Sequence, residues 1–201
     1  MKQSLFSIVM SVLLSSCMPL TSSGSPPVIY VLHAPSANTQ KAKITYIIAV
    51  PEPEVPIGFD NNKINLYLNN GRRLDYYAHA EWPDHLGRVL QDVIIQSAQS
   101  VPGLLAVAPN SEIVASAQLF IKVYDFEPIY AASAETPPKV KVSMNFRLMS
   151  LYNRKILFNG TYSQEAWATK NTQTNIIATL ESLLANIDVL ALKKISHGTK
   201  M

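Results

Sequence analysis

Two spacings of apolar residues divide this chain. From Val140 to Leu148 every second residue is apolar, with Lys139 before them and Lys141, Ser143, Asn145 and Arg147 between them. Side chains on a strand point alternately to opposite faces, so this alternation predicts a strand with one buried and one wet face. Leu119, Ile121 and Val123 repeat the pattern, Phe126 follows after Asp125, and a third strand from Ile156 to Glu165 is reached through a tight turn at Asn153-Arg154.

Elsewhere the spacing is three and four. Leu86, Val89, Leu90, Val93 and Ile94 form one apolar stripe, with Arg88, Gln91 and Asp92 on the other side. Pro83 and Asp84 mark the helix start, because proline tolerates the first turn and an acid suits the positive end of the dipole. Pro102-Gly103 ends it. A longer helix, Thr174 to Ile195, carries Ile176, Ile177, Leu180, Leu183, Leu184, Ile187, Leu190 and Ala191 on one stripe, the strongest periodic signal in the chain.

The first half reads as strands at Val28 to Leu32, Ile44 to Val50, Lys63 to Leu68 and Arg73 to Ala78, the last two joined by the turn Asn69-Asn70-Gly71. Pro51, Pro53 and Pro56 forbid regular pairing between the second and third. The stretch from Pro128 to Pro138, which includes Tyr130, is long for a hairpin loop and is a candidate contact surface. A sheet with one apolar face and two helices with apolar stripes predict an α+β two-layer sandwich, a mostly antiparallel or mixed sheet with both helices on one face.

The first seventeen residues change the picture. Lys2 precedes an apolar run from Leu5 to Leu14, followed by Ser15, Ser16 and Cys17, which reads as a secretory signal ending in a lipobox. The run is about ten residues, half of what crosses ~30 Å of hydrocarbon. Cleavage between Ser16 and Cys17 leaves covalent diacylglycerol and an N-acyl chain on the Cys17 thiol and amine. Each buried acyl carbon contributes about 0.8 kcal/mol, so two or three chains anchor firmly. The expected organisation is a signal peptide at 1–16, a lipidated cysteine and flexible tether at 17–27, and a single periplasmic α+β domain at 28–201. Met18 stands where an aspartate would retain a bacterial lipoprotein in the inner membrane, which by analogy favours the outer membrane. Cys17 is the only cysteine, so the mature protein has no disulfide and relies on packing. No second apolar stretch of spanning length is expected.

Charge and motifs narrow the chemistry. The formal charge is +3 with no long basic run, so no nucleic-acid partner is expected. Neither a Walker A nor a Gly-x-Gly-x-x-Gly loop appears, and no Gly-x-Ser-x-Gly elbow presents a serine; any ATP-driven step must occur in another protein. His79 and His85 flank the first helix start with Glu81 and Asp84 nearby, but a spacing of six does not place two histidines on one helical face, and no metal or catalytic site is expected. Tyr76 and Tyr77, adjacent on a strand, put one ring on each face; with Trp82 and Tyr130 they are the candidate interface residues.

At this point the chain resembles a family, the ABC-type transport auxiliary lipoprotein components, a paraquat-inducible protein C-like group. The resemblance rests on Ile29-Tyr30-Val31-Leu32, on Val50-Pro51 and the segment Val55 to Asp60, and on the Tyr76-Tyr77 strand leading to Trp82, Leu86 and Leu90. Phe126-Glu127, the strand ending Phe146-Arg147-Leu148, and the last helix complete the order. Where the family commonly has arginine, this chain has Asn61 and Glu81. The resemblance implies an outer-membrane lipoprotein on the periplasmic side, partnering an MCE-domain (mammalian cell entry) protein and an ABC transporter that move phospholipid or another lipid. Members of this kind look capable of forming homo-oligomeric rings. The function expected is therefore a non-catalytic docking component. The alternative is an envelope lipoprotein that activates or scaffolds another enzyme, such as a peptidoglycan synthase; a hydrolase using His79 or His85 is the third reading.

Overall fold

The structure, a computed structural model, describes residues 25–36, 43–131 and 134–198. The expected cleavage site at Ser16 and Cys17, with most of the tether, lies outside them. Eight strands form one mixed sheet: β1 (Val28–Ile29), β2 (Tyr46–Ala49), β3 (Lys63–Leu68), β4 (Arg73–Glu81), β5 (Leu104–Val107), β6 (Ala117–Ile129), β7 (Lys139–Ser150) and β8 (Ile156–Trp167). Helix α1 (Leu86–Ser97) follows β4, and helix α2 (Gln173–Gly198) follows β8. The fold is the expected α+β class.

β6 is the spine of the sheet. On one side it pairs antiparallel with β7 along its whole length, and β7 pairs antiparallel with β8. Its other side takes β2 in parallel at Ala117 and Gln118, a lone parallel bridge at Glu54↔Lys122, and β3 in parallel at Ile129. The prolines explain that interruption. Pro51 and Pro53 have no N–H to give, so the chain between β2 and β3 cannot extend a ladder. Glu54 engages alone: its N–H donates to the Ile121 carbonyl at 2.9 Å, and its carbonyl accepts from Val123 N–H at 2.8 Å. One extra residue in β6 between Val123 and Asp125 shifts the register and returns Phe126 to the buried face.

That face holds Leu119, Ile121 and Val123 of β6 and Val140, Val142, Met144, Phe146 and Leu148 of β7, in one cluster with Leu90 and Ile94 of α1 and Leu180, Leu184 and Ile187 of α2. The hairpin turn at Asn69, Asn70 and Gly71 adopts positive φ throughout, which these residue types tolerate.

The structure departs from the sequence reading at several points. β1 keeps two exposed residues of the expected five, while Leu32 leaves the sheet to reach the core. β5 was not foreseen, because four residues beside a Pro-Gly are too few to show a period. α1 begins at Leu86 with His85 as its N-cap and no acid in its first turn. Asp84 instead accepts the His85 N–H at 2.7 Å.

Gln91, expected on the polar side of α1, is buried, and its Nε2 donates to the Val50 carbonyl at 2.8 Å, satisfying a backbone group where β2 gives way to prolines. Leu190 is exposed, the buried stripe of α2 running instead through Asp188, Ala191, Leu192 and Ile195. Ser143 and Asn145, expected wet, are buried; Asn145 Nδ2 donates to Asn159 Oδ1 at 3.2 Å and Thr161 Oγ1 at 3.0 Å across to β8. The expectation of no second apolar stretch of spanning length is also corrected. By length and composition α2 qualifies, with mean hydropathy of 1.5 over eighteen residues, and it serves as a core helix with half of that window buried.

Candidate docking surface

The four aromatic residues singled out from sequence do not share one role. Tyr76 and Tyr77, neighbours on β4, divide between the faces as strand geometry requires: Tyr76 is half exposed, whereas Tyr77 packs against the core. Trp82 is buried, 2% exposed, and tilts against Phe126 with ring centroids 6.3 Å apart. Tyr130 is buried too, because β6 runs through Pro128 to Ile129 and delivers it inward. Trp82 thus lies beneath the surface, while Tyr130, though buried, lines the cleft described below.

The hydroxyls of Tyr77 and Tyr130 lie 2.9 Å apart. Tyr130 Oη donates to Asn171 Oδ1 at 2.8 Å, and Asn171 Nδ2 donates to the Ala134 carbonyl at 2.7 Å. This chain ties the β6–β7 loop to the N-terminal approach of α2. Burial pushes the pKa of both phenols up, Tyr77 further, so both remain neutral donors rather than acids or bases. Above them opens a cleft of about 370 Å³ with Leu66, Leu68, Tyr76 and Ile176 in its walls.

A second surface lies where the β5–β6 connection meets the β7–β8 turn. Leu151 N–H donates to the Ser116 carbonyl at 3.0 Å and so joins the two loops. Around that contact stand Val114, 88% exposed, and Tyr152, 95% exposed, with Ile113 and Leu151 also open to solvent. Ile113, Val114 and Leu151 share the wall of a shallow cleft of about 360 Å³. Single exposed apolar residues are ordinary on any protein, but four gathered at one end of a sheet are what a partner surface looks like. The turn beneath Tyr152 is fixed, with Ser150 N–H donating to the Lys155 carbonyl at 2.9 Å and Arg154 in the left-handed region at φ 60°. Periodicity could not find this surface, because loops have no period. The available signal was local: Ile113-Val114 and Leu151-Tyr152 sit among turn-forming residues where polar side chains are the rule.

Two acids stand apart electrostatically. Glu127, buried on β6, accepts the Phe126 N–H, and burial and Asp125 beside it push its carboxyl up to about 7 against the pull of Lys141. Asp188, wholly buried on α2, is pushed up by burial to about 8; its Oδ2 accepts from Ser97 Oγ at 3.2 Å and its Oδ1 has no partner among the described residues. Neither opens onto a cleft with a nucleophile, so each reads as a folding constraint. Asp188 was legible as an anomaly, being an acid in line with Leu184, Ile187 and Ala191.

The histidines do not pair as the sequence allowed. His85 joins Glu52 and Asp60, with Nδ1 at 3.1 Å and 3.5 Å from their carboxylates, while His79 takes a left-handed backbone at φ 56° and stays outside that group. The three side chains place one ligand atom each within 4.8 Å of the others. Asn61 and Glu81 close on the same lysine: Glu81 forms an ion pair with Lys63, and Asn61 Oδ1 accepts the Lys63 N–H at 2.8 Å.

Comparison with known proteins agrees with the architecture. The crystal structure of protein XCC0632 from Xanthomonas campestris superposes with a TM-score of 0.69 at 18% identity, covering 84% of this chain and 94% of that one. An uncharacterized protein of known structure gives 0.65 at 13% identity, with 85% and 99% covered. These show a shared fold. No curated protein matches significantly. Residues 30–189, which hold every described strand but β1 and most of α2, match the family described as ABC-type transport auxiliary lipoprotein component, and the chain belongs to that family.

Proposed function

We propose that this lipoprotein is a non-catalytic docking component of an ABC/MCE-type lipid transport system, held on the periplasmic side of the outer membrane by acyl chains on Cys17. The observation that carries the docking role is the apolar end made by Ile113, Val114, Leu151 and Tyr152. Folding gains nothing from leaving these side chains in water, whereas a partner's apolar surface removes them from it at ~25 cal/mol per Å². The rigid turns that carry them keep the ordering cost of association low. Family membership supports the partner class, an ABC transport system; within this proposal an MCE-domain protein is the component that the apolar end meets. The protein needs no cofactor in this role.

The test uses the full chain in a Gram-negative host, comparing wild type with Cys17→Ala and Val114→Asp. The expected result is acyl mass and outer-membrane partitioning for wild type, soluble protein for Cys17→Ala, and crosslinked capture of an MCE-domain protein that Val114→Asp abolishes without changing localisation. Cleaved but unlipidated wild type free in the periplasm overturns the anchor; unchanged capture by Val114→Asp overturns the docking surface.

A further inference from the structure

Where the proline segment meets the start of α1, side chains converge in a way the docking role does not use. Glu52 stands between Pro51 and Pro53, Asp60 follows the short turn Ile57–Phe59, and His85 is the N-cap of α1. The backbone fixes their approach. Asp60 N–H donates to the Ile57 carbonyl at 3.4 Å, and Leu86 N–H donates to the Asn61 carbonyl at 3.1 Å, tying the turn to the helix. Gly87 makes room for Glu52, since a Cβ there would lie 2.6 Å from its Oε1.

The His85 side chain occupies a capping position yet caps nothing. Its Nδ1 is shut off from solvent and forms no hydrogen bond, although Glu52 Oε1 is 3.1 Å and Asp60 Oδ1 is 3.5 Å away. An imidazolium would aim an N–H at one of these oxygens, and neither contact has that geometry. The other ring nitrogen, Nε2, faces Asp84 Oδ1 at 3.7 Å, which favours the proton there and leaves the Nδ1 lone pair turned to the two carboxylates. No lysine or arginine pairs with Glu52, Asp60 or Asp84 among the described residues. Acceptors gathered without a donor are what a cation satisfies.

We propose that Glu52, Asp60 and His85 form a zinc site that clasps the proline segment to the first turn of α1. Zinc takes imidazole nitrogen and carboxylate oxygen at about 2.0–2.2 Å, so two ligands at a tetrahedral angle stand about 3.4 Å apart. The separations of 3.1 Å and 3.5 Å from Nδ1 match that spacing, and all three ligand atoms lie within 4.8 Å of one another. Imidazole in the set selects a transition metal over magnesium and calcium, which prefer oxygen alone. Asp84 supplies the carboxylate that holds a metal-bound histidine in one tautomer. Three carboxylates outweigh the positive end of α1. His79, the sequence's candidate companion of His85, takes no part; Glu52 and Asp60, from a segment remote in sequence, take its place. This inference goes beyond the docking role and does not depend on it.

The test uses the full-length lipidated chain in detergent, purified without a histidine tag, stripped with EDTA and titrated with zinc chloride by calorimetry. The expected result is one zinc per chain, bound at least about tenfold more weakly by His85→Ala and by Glu52→Gln with Asp60→Asn. Asp84→Asn, which keeps an acceptor for the His85 N–H, weakens binding by about tenfold through the ring alone. The thermal midpoint rises with zinc in wild type and stays put in the ligand variants, which keep the wild-type circular dichroism spectrum because their side chains are partly exposed. His79→Asn, which tolerates the left-handed backbone, binds as wild type does. Wild type without saturable zinc binding, affinity unchanged by His85→Ala, which marks an adventitious ion only, or calcium chloride binding as tightly as zinc overturns the proposal.

Discussion

The helix-covered face of the sheet and its apolar end treat water in opposite ways. On the face, Val140, Val142, Met144, Phe146 and Leu148 are fully excluded from solvent within a cluster that includes residues of both helices; at the end, Val114 and Tyr152 are almost fully open. Residues of the same chemical kind therefore serve different purposes within one molecule. The first set supplies the folding free energy. The second contributes nothing to it and carries a solubility cost, which a docking partner would remove.

Substitutions in the two regions should have opposite consequences. Phe146→Ala should destabilise the fold by about 3–5 kcal/mol in denaturant titration, the range for deleting a buried ring. Tyr152→Ser should leave stability within about 0.5 kcal/mol, as surface changes do, while partner capture falls. Comparable losses from the two variants would show that the exposed end is part of the core after all.

A second probe uses the buried acid. With its carboxyl raised from 3.8 to about 8, Asp188 stays protonated in the folded protein while the unfolded chain ionises. The unfolded state then binds fewer protons, so stability should fall as pH rises from about 4 to about 8 and level off beyond. Glu127, raised to about 7, adds to that slope below neutrality. Asp188→Asn should flatten the dependence and raise the thermal midpoint at pH 8, while Val114→Asp, at the wet end, should leave its shape intact.

A smaller effect is expected at Gly103, which sits at φ 80° where a Cβ would come within 2.8 Å of Thr45 Oγ1. Gly103→Ala should cost roughly 1 kcal/mol through the left-handed backbone alone, measurable as a lowered denaturation midpoint.

What the sequence revealed follows the same division. The alternation of β7 and the stripes of α1 and α2 were legible because burial on a regular element imposes a period, and the residues that broke it were those with a second job. Gln91 looked polar and outward but caps a carbonyl orphaned by the prolines, and Asn145 looked wet but bonds across to β8. The chemistry of Trp82 and Tyr130 suggests contact residues, but residue type alone does not report depth, and both lie buried. Each half of the apolar end leaves a local signal, but its assembly has no period to report it, because two loops distant in sequence meet through the contact between Leu151 and Ser116. The lipobox expectation rests on local residues alone and lies outside the described residues.

Site-specific photo-crosslinking from position 152 of the full chain in living cells, with adducts identified by mass spectrometry, reads docking at the apolar end itself. The docking account predicts an adduct with an MCE-domain protein that disappears in the Cys17→Ala background. An adduct with a peptidoglycan synthase or another envelope enzyme, or no protein adduct at all, contradicts it.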